Sequence, residues 1–313
     1  MNKYLITGSS GFVSWYLLKY INKIEVGATV LGLDTQPNFY INEFENINYY
    51  HKIVNLLNKD TIKEIISDLK PNFVIHLASY SSVAFSWKNP ASSFANNTNI
   101  FLNVLEVLRE LQINCRILSV GSSEQYGNVD KSLIPILENT PLNPISPYAA
   151  ARVAQELLSK IYVESFGMDI IITRSFNHIG PGQKESFVIP SFIKRIKECL
   201  QSNAKDVTIE TGDLQIVRDF TDVRDVVEAY ILLLTKGETG EIYNVCSGVG
   251  YTLEQIIGKL KKLLSIDINT VINKNYIRPN DNKIIIGSRE KISLELGWKP
   301  TYSIDRSLKD MLL

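Results

Sequence analysis

Cysteine and histidine are both scarce in this chain of 313 residues, with three of each. Cys115, Cys199 and Cys246 are widely spaced and form no Cys-x-x-Cys pair. The sequence therefore predicts reduced thiols in a cytoplasmic protein rather than a disulfide framework or a zinc site. The histidines are too scattered to predict a metal cluster, and we expect no metal site.

The sequence also lacks an excess of charge and lacks long apolar runs. Its 33 Lys plus Arg balance 33 Asp plus Glu, which argues against nonspecific binding to nucleic acid or to a membrane surface. The longest apolar runs, such as 230–234, are much shorter than a membrane span, and we expect no signal peptide at the N-terminus. Hydrophobic residues make up 45% and charged residues 21%, as in soluble globular proteins.

Short apolar runs alternate with amphipathic stretches through the first half of the chain. Spacings of three to four residues between apolar positions predict helices, and short β-branched runs predict strands. The predicted strands are 3–7, 29–34, 72–77, 116–120 and 170–174. The predicted helices are 13–22, 60–69, 94–111 and 148–165. Because parallel strands need crossover helices, this order predicts an α/β fold with a doubly wound parallel sheet.

A glycine-containing turn joins the first predicted strand to the first helix. Glycine lets backbone amides and the helix N-terminus approach a pyrophosphate, so this context predicts a dinucleotide site. The predicted cofactor contacts here are Gly8, Ser10, Gly11, Phe12 and Val13. Ser14 stands at the third small position of the pattern and is slightly bulkier than glycine. An ordinary glycine turn between strand and helix is the alternative.

Asp34 ends the second predicted strand. A carboxylate there can accept hydrogen bonds from adenosine ribose hydroxyls and would repel a 2′-phosphate. No Arg or Lys follows within the next several residues, so NAD(H) is favoured as the cofactor and NADP(H) is the alternative. A strand-end aspartate that only caps a turn is the other interpretation.

Two later segments carry groups suited to proton transfer, 121–127 after the fourth predicted strand and 147–152 at the start of a helix. Tyr148 and Arg152 are four residues apart and share a helical face, and a cation beside a phenol stabilises the phenolate. Such a tyrosine can exchange a proton with a sugar hydroxyl or carbonyl while Ser122 hydrogen-bonds the same oxygen. The alternative is an aromatic and a basic residue on an ordinary surface helix.

Together these segments resemble the extended short-chain dehydrogenase/reductases, the NAD-dependent epimerase/dehydratase family, over essentially the whole chain. The resemblance implies a Rossmann-type NAD(P)-binding domain over 1–178, with later segments crossing back, and a lobe over 179–313 that mainly binds nucleotide sugar. It implies that Tyr148 is the catalytic acid/base and Ser122 its partner. Arg152 takes the place of the family's lysine, which binds the nicotinamide ribose; arginine keeps the charge but presents a planar fork.

The same resemblance assigns further contacts. For the cofactor they are Asn55 and Leu56 (Asp-Leu in the family), Leu77, Ala78, Ser79 and Asn97, together with Tyr148 and Arg152. For the substrate they are Ser81, Ser122, Ser123, Asn177, Val188, Arg218, Arg278 and Asp281. Two arginines that converge on a pyrophosphate would give bidentate, charge-assisted hydrogen bonds. Structural ion pairs with Asp219, Asp222 or Asp281 are the alternative for Arg218 and Arg278. His178 is expected to be a packed loop residue and not a catalyst.

The second half of the chain is similar to the GDP-4-keto-6-deoxy-D-mannose reductases, over 174–183, 187–190, 217–227, 243–248 and 278–281. Those enzymes use a nicotinamide cofactor to reduce a C4 ketone and form GDP-D-rhamnose, and near relatives act on a 6-deoxy-heptose. The resemblance therefore implies NAD(P)H-dependent reduction of a GDP-4-keto-6-deoxy sugar.

Glu124 keeps other activities open, because the 4,6-dehydratases of the family carry a glutamate two residues before a tyrosine, and Glu124 has the same spacing to Tyr126. A carboxylate there can take the C5 proton. A nucleotide-sugar 4,6-dehydratase of the GDP-mannose type, or a 4-epimerase with tightly bound NAD, is the first alternative, although the loop at 179–182 argues against a GDP-mannose dehydratase. An inactive cofactor-binding protein is the second alternative, and Arg152 is the feature in its favour.

The predicted helices 94–111 and 148–165 carry apolar residues over a wide arc. Internal core is the usual explanation for such a stripe. In the resembling family the counterparts of these helices pair across a two-fold axis, so the resemblance implies a homodimer.

Overall fold

A computed structural model describes residues 1–38, 43–201, 207–277 and 282–313. Its strands are β1 (Lys3–Thr7), β2 (Thr29–Asp34), β3 (Asn48–Ile53), β4 (Phe73–His76), β5 (Arg116–Ser122), β6 (Asp169–Ser175), β7 (Asn177–Ile179), β8 (Val207–Thr211), β9 (Val217–Asp222), β10 (Ile242–Val245), β11 (Gly250–Thr252), β12 (Ile268–Ile272) and β13 (Ile284–Ile285). Its α-helices are α1 (Phe12–Ile24), α2 (Lys59–Leu69), α3 (Val83–Lys88), α4 (Pro90–Glu110), α5 (Pro147–Phe166), α6 (Val188–Gln201), α7 (Val223–Lys236), α8 (Leu253–Leu264), α9 (Glu290–Leu296) and α10 (Ile304–Leu312).

Seven strands form one parallel sheet in the order β10-β6-β5-β4-β1-β2-β3. The predicted α/β fold with a doubly wound parallel sheet is therefore confirmed. The five predicted strands are all present, and the ends of three of them differ by one or two residues. The sequence prediction lacked β3 and β10, which form the two edges of the sheet.

Side chains of the central strands alternate between two apolar layers. Tyr4 and Ile6 of β1 belong to a core cluster with residues of α1 and α7, whereas Leu5 belongs to a second cluster with residues of α2, α4 and α5. Successive strand residues point to opposite faces, so this division places helices on both faces of the sheet. The predicted helices are confirmed and extend by up to four residues beyond their predicted starts.

Later elements build a third core cluster from α6, β8, β9, α8 and α10. Two small sheets belong to this region, one containing β11, β9 and β13 with β7 beside β9, and one containing β12 and β8. The strand β10 lies in the central sheet although it follows residue 178, so the chain crosses back between the two groups of elements. Over the described ranges, none of the helices combines the length and apolarity that crossing a bilayer requires.

Candidate active site

The turn after β1 lies against the loop after β4, where the order of strands along the sheet reverses. Gly8 has a positive φ of +75°, and a Cβ atom added to it would lie 2.7 Å from the Ala78 amide nitrogen. The two loops are therefore too close for any side chain at position 8. Open α/β sheets bind ligands at this kind of switch point, beyond the carboxyl ends of the strands.

The N-terminus of α1 opens onto the same turn. Its N-cap residue, Gly11, brings no side chain to the first helical amides. The Gly11 amide and the Ser14 hydroxyl both donate to the Gly8 carbonyl oxygen, at 3.1 and 2.8 Å. Ser14 thus stabilises the turn from the third small position of the pattern. Helix amides without a side-chain cap are suited to bind phosphate oxygens.

Asp34 lies at the carboxyl end of β2 and is half-buried. Its Oδ2 atom accepts a hydrogen bond from the Ser10 amide at 3.0 Å, and its Oδ1 atom accepts one from the Gln36 amide at 3.0 Å. The carboxylate therefore does cap the turn. Each oxygen has a further lone pair that can accept from a ribose hydroxyl, so the role in cofactor binding stays a prediction.

Asn97 in α4 is fully buried and holds the loop that carries residues 77–79. Its Oδ1 accepts from the Tyr80 amide at 2.7 Å and its Nδ2 donates to the Tyr80 carbonyl at 3.2 Å. The structure shows a role for Asn97 in fixing this loop, and direct contact with a cofactor stays a prediction.

The predicted cofactor contacts Asn55 and Leu56 follow β3. Leu56 is buried and Asn55 is exposed.

Tyr148 and Arg152 lie in the first turns of α5 and are only 7% and 4% exposed. The Arg152 Nε donates a hydrogen bond to the Tyr148 hydroxyl oxygen at 3.3 Å. The Arg152 Nη1 donates to the Val120 carbonyl at 3.2 Å and also to the Gln155 side-chain oxygen. The burial of both side chains rules out the surface-helix alternative. A guanidinium is held beside the phenol by contacts on its other side.

Ser122 ends β5 and caps the 3-10 helix Ser123–Tyr126. Its Oγ accepts a hydrogen bond from the Glu124 amide at 3.3 Å, and its own amide donates to Gln125 Oε1 at 2.9 Å. Accepting this hydrogen bond uses a lone pair of the oxygen, so the O–H group can still donate to a ligand. Helix α5 packs against both β5 and this 3-10 helix, so Ser122 and Tyr148 lie on adjoining elements.

Three buried polar residues next to Ser122 were not predicted. Glu156 in α5 accepts from Gln125 Nε2 at 2.8 Å and forms a bidentate ion pair with Arg174 of β6, at 2.8 and 2.7 Å. Burial favours the neutral acid, but the hydrogen bonds and charge of Arg174 outweigh it, so the pKa of Glu156 lies below its ordinary value. No sequence signal marks these residues as a group, because they are far apart along the chain.

Two imidazoles, of fully buried His76 and half-buried His178, have no role in the predicted chemistry. His76 Nδ1 lies 2.9 Å from Thr7 Oγ1, and burial together with the charge of Arg152 lowers the pKa of His76 to about 3. His178 Nε2 lies 3.3 Å from the Tyr230 hydroxyl, and burial lowers the pKa of His178 to about 4. Both rings are neutral at pH 7. His178 was expected in a loop, but the structure places it in the short strand β7, where it pairs with Thr221 of β9.

The structure describes only some of the predicted substrate contacts. Arg218 is buried on β9, and its Nη1 donates to the carbonyls of Val217 and Asn282 at 3.0 and 2.7 Å. Asp219 instead accepts from backbone amides of 247, 248 and 287. Arg278 and Asp281 lie outside the described residues, so their convergence with Arg218 stays a prediction.

The other predicted positions differ in exposure. Ser81 and Val188 are exposed, Ser79, Glu124 and Asn177 are half-buried, and Ser123 is buried. The Asn177 Nδ2 donates to the Asp219 carbonyl at 3.4 Å. No group of three or more His, Cys, Asp or Glu side chains in the described part of the chain is arranged to hold a metal ion.

Comparison with known proteins agrees with this geometry. A family model described as GDP-mannose 4,6 dehydratase matches residues 5–311. The chain belongs to this family. It is 33% identical over 310 residues to the GDP-6-deoxy-D-mannose reductase of Pseudomonas aeruginosa, covering 98% of this chain and 95% of that protein. It is 31% identical to the UDP-glucuronate 4-epimerase of Thermodesulfobacterium geofontis, covering 99% of this chain and 94% of that protein.

A solved structure of RMD from Pseudomonas aeruginosa in complex with NADPH superposes with a TM-score of 0.86. Its sequence identity to this chain is 31%, and the match covers 100% of this chain and 98% of that one. The resemblance to extended short-chain dehydrogenase/reductases is therefore confirmed over nearly the full length. The relatives include a reductase and an epimerase, so family membership alone does not decide which reaction at C4 the protein catalyses.

Proposed function

We propose that this protein reduces the C4 ketone of a GDP-4-keto-6-deoxy sugar with NAD(P)H, forming a GDP-6-deoxy sugar such as GDP-D-rhamnose. The observation that carries the proposal is the hydrogen bond from buried Arg152 to the Tyr148 hydroxyl, on the helix that packs against the 3-10 helix capped by Ser122. The similarity to a GDP-6-deoxy-D-mannose reductase supports the choice of substrate. Hexose and 6-deoxy-heptose versions of the sugar share this chemistry.

The residues fit a nicotinamide dinucleotide. Gly8 packs directly against the Ala78 backbone, so this turn carries no side chain at position 8, and the uncapped amides of α1 supply donors for a pyrophosphate. Bound NAD(P)H supplies a hydride to the ketone carbon. Tyr148 then donates its proton to the ketone oxygen, and the Ser122 hydroxyl donates a hydrogen bond to the same oxygen. Arg152 stabilises the phenolate that remains until solvent returns the proton.

We propose NAD(H) as the preferred cofactor and NADP(H) as the alternative, because the Asp34 carboxylate stands where a 2′-phosphate would approach. The related RMD was solved with NADPH, so this preference needs its own test. Asp34→Asn keeps an acceptor for the Ser10 amide but removes the negative charge. The ratio of kcat/KM for NADH over NADPH should fall in this variant, and an unchanged ratio would remove Asp34 from cofactor selection.

The lobe that mainly comprises residues 179–313 is proposed to bind the nucleotide sugar. The similarity to a GDP-6-deoxy-D-mannose reductase supports this assignment, and Arg218, which is fixed on β9 by backbone carbonyls, is the residue of this lobe chosen to test it. Measuring the KM for the GDP sugar in Arg218→Lys, with cofactor KM as the reference, tests it. Equal changes in both values would argue against a specific role in substrate binding.

The deciding assay incubates the protein with GDP-4-keto-6-deoxy-mannose and reduced cofactor and follows the loss of NAD(P)H absorbance. Stoichiometric oxidation with formation of a GDP-6-deoxy sugar supports the reductase. Tight cofactor binding without turnover of any keto sugar would contradict the enzyme proposal and favour a cofactor-binding protein without activity.

A 4,6-dehydratase is the second candidate, favoured by the Ser122-Ser123-Glu124 segment and by the description of the matching family model. Such an enzyme would convert GDP-mannose to a keto product with no net consumption of cofactor. A 4-epimerase would likewise interconvert sugars with bound NAD. Product analysis after incubation with GDP-mannose alone separates both from the reductase.

We also propose a cytoplasmic homodimer. Cys115, Cys199 and Cys246 are free thiols, which suits a reducing compartment.

The proposed dimer contact is formed by α4 and α5. Apolar side chains remain exposed on these helices, namely Phe94 (43%), Leu157 (52%), Ile161 (49%) and Phe166 (51%). Light scattering should give the mass of two chains. Leu157→Lys with Ile161→Lys should give one, whereas Leu294→Lys at an exposed position of α9 should not change the mass.

A further inference from the structure

We infer that Gln125, Glu156 and Arg174, here named the buried triad, position Ser122 for its role at the substrate oxygen. This inference rests on the proposed function, since it concerns the serine of the proposed reaction. The triad connects the ion pair between α5 and β6 to the backbone of Ser122 through one glutamine side chain.

The orientation of the Gln125 amide is determined by its two partners. Glu156 is a carboxylate that can only accept, so it must face the Nε2 donor of Gln125, at 2.8 Å. Gln125 Oε1 is thereby turned toward the Ser122 amide, which donates to it at 2.9 Å. Reversal of this amide would put two acceptors together at one end and two donors at the other.

Glu156 is itself held in one place. Arg174 Nε and Nη2 donate to its two carboxylate oxygens, and Arg174 Nη1 donates to the Glu138 carbonyl at 2.8 Å. Gln125 is fully buried, and Glu156 and Arg174 are each 3% exposed. Bidentate guanidinium–carboxylate pairs have a defined geometry, so the position of the carboxylate is passed on to Gln125.

A role in stability alone accounts poorly for this arrangement. A buried ion pair contributes little net stability compared with apolar residues of similar size, because both charges lose their hydration. The triad uses its carboxylate to orient a neutral side chain that contacts the Ser122 backbone. Ser122 Oγ also accepts from the Glu124 amide, so the same 3-10 helix orients both the backbone and the hydroxyl of the serine.

Gln125→Met tests the connection because methionine keeps the length of the side chain and removes both hydrogen bonds. We expect kcat to fall about tenfold to 100-fold, since small displacements of reacting groups have effects of this size. In a Ser122→Ala background the same change should cause less than about a twofold further loss, because residues that act as a unit are not additive. Losses that multiply in the double variant would overturn the inference.

Gln255→Met is the matched control. Gln255 makes the same capping-box hydrogen bond, accepting from the Thr252 amide at 2.9 Å at the start of α8, but it is exposed and is not among the proposed contacts of substrate or cofactor. This variant should keep the wild-type kcat. If Gln255→Met and Gln125→Met lower kcat equally, loss of a helix cap is sufficient to explain the effect and the triad has no special role.

Gln125→Glu adds a readout that depends on pH. Its carboxylate would face Glu156, and two like charges so close favour protonation of one of them. Relative to wild type, the variant should be more active at pH 6 than at pH 8. A ratio to wild type that does not change with pH would contradict a connection through Glu156.

Hydrogen exchange of the Ser122 amide gives a measurement that does not depend on turnover. Exchange should be at least about tenfold faster in Gln125→Met than in wild type, because the amide loses the Gln125 side-chain acceptor. If the wild-type protein reduces no keto sugar, the proposed function is contradicted, but the exchange measurement still tests the triad. Unchanged exchange would overturn the inference even if the wild-type enzyme is an active reductase.

Discussion

The Nε atom of Arg152 lies 3.3 Å from the hydroxyl oxygen of Tyr148, one turn earlier on α5. The guanidinium is held from its other side by the Val120 carbonyl and by Gln155. Gln155 in turn donates to the Ser119 hydroxyl and to the Val120 carbonyl. A fixed cation beside a buried phenol suits proton transfer at a carbonyl. Here the cation is an arginine, whose N–H donors lie in one plane.

Replacing Tyr148 with Phe should lower kcat by about 100-fold to 10,000-fold, because the variant keeps the ring but has no proton to transfer. Initial rates with keto sugar and reduced cofactor measure this effect. Tyr162→Phe is the control on the same helix, since the Tyr162 hydroxyl bonds Glu106 of α4 instead. A Tyr148→Phe variant with the wild-type rate would exclude Tyr148 as the acid.

Arg152→Lys should retain activity with a shifted pH profile of kcat. Lysine keeps the positive charge, but its single ammonium cannot reproduce the planar set of donors that reaches Tyr148, Val120 and Gln155. Arg152→Met, which lacks the charge, should lose most of the activity. If Arg152→Lys has unchanged rate and cofactor affinity at every pH, position 152 is outside the site.

Gly8→Ala should weaken cofactor binding and lower the free energy of unfolding. The added Cβ would lie 2.7 Å from the Ala78 amide nitrogen, and φ is +75°. Gly167→Ala is the control, because Gly167 also has a positive φ, +64°, but among the described residues, its chain neighbours aside, no atom lies within 4 Å of the added Cβ. Its unfolding free energy should fall by only about 1 kcal/mol, from the backbone strain of a non-glycine residue at positive φ.

Urea unfolding and cofactor titration of both variants separate strain from the close contact. Equal losses of unfolding free energy, with cofactor affinity kept in both, would show that the contact between the two loops is unimportant.

The stability of the protein should increase with pH between about 5 and 6.5, in part because of His76. Burial lowers the pKa of His76 to about 3 in the folded state, whereas an unfolded histidine titrates near 6.5. Between these values the unfolded state binds more protons, so acid favours unfolding. The contribution to the slope of unfolding free energy is about 1.4 kcal/mol per pH unit at the acidic end.

His76→Gln removes this titration and keeps a group that can bond Thr7 Oγ1. Urea unfolding at pH 5, 6 and 7 should therefore give a smaller slope for the variant than for wild type. Parallel slopes would show that His76 is not the source of the pH dependence.

Much of the sheet could be predicted from local patterns. The strands β1, β2, β4, β5 and β6 are short apolar runs between amphipathic helices, and their order already implied parallel pairing. The edge strand β3 was missed because its residues, Asn48–Ile53, are mostly exposed and form no apolar run. The strand β10 has four residues, and its place beside β6 depends on pairing with a segment far back in the chain.

The candidate site divides in the same way. The sequence alone determined the glycine turn at Gly8, Ser122 and the pair Tyr148 and Arg152, because each depends on a local motif or on one helical turn. Only the tertiary structure brought Gln125, Glu156 and Arg174 together from a 3-10 helix, α5 and β6. Hydrogen bonds and charge pairs depend on distances of a few ångströms between separate elements, and a one-dimensional pattern does not contain those distances.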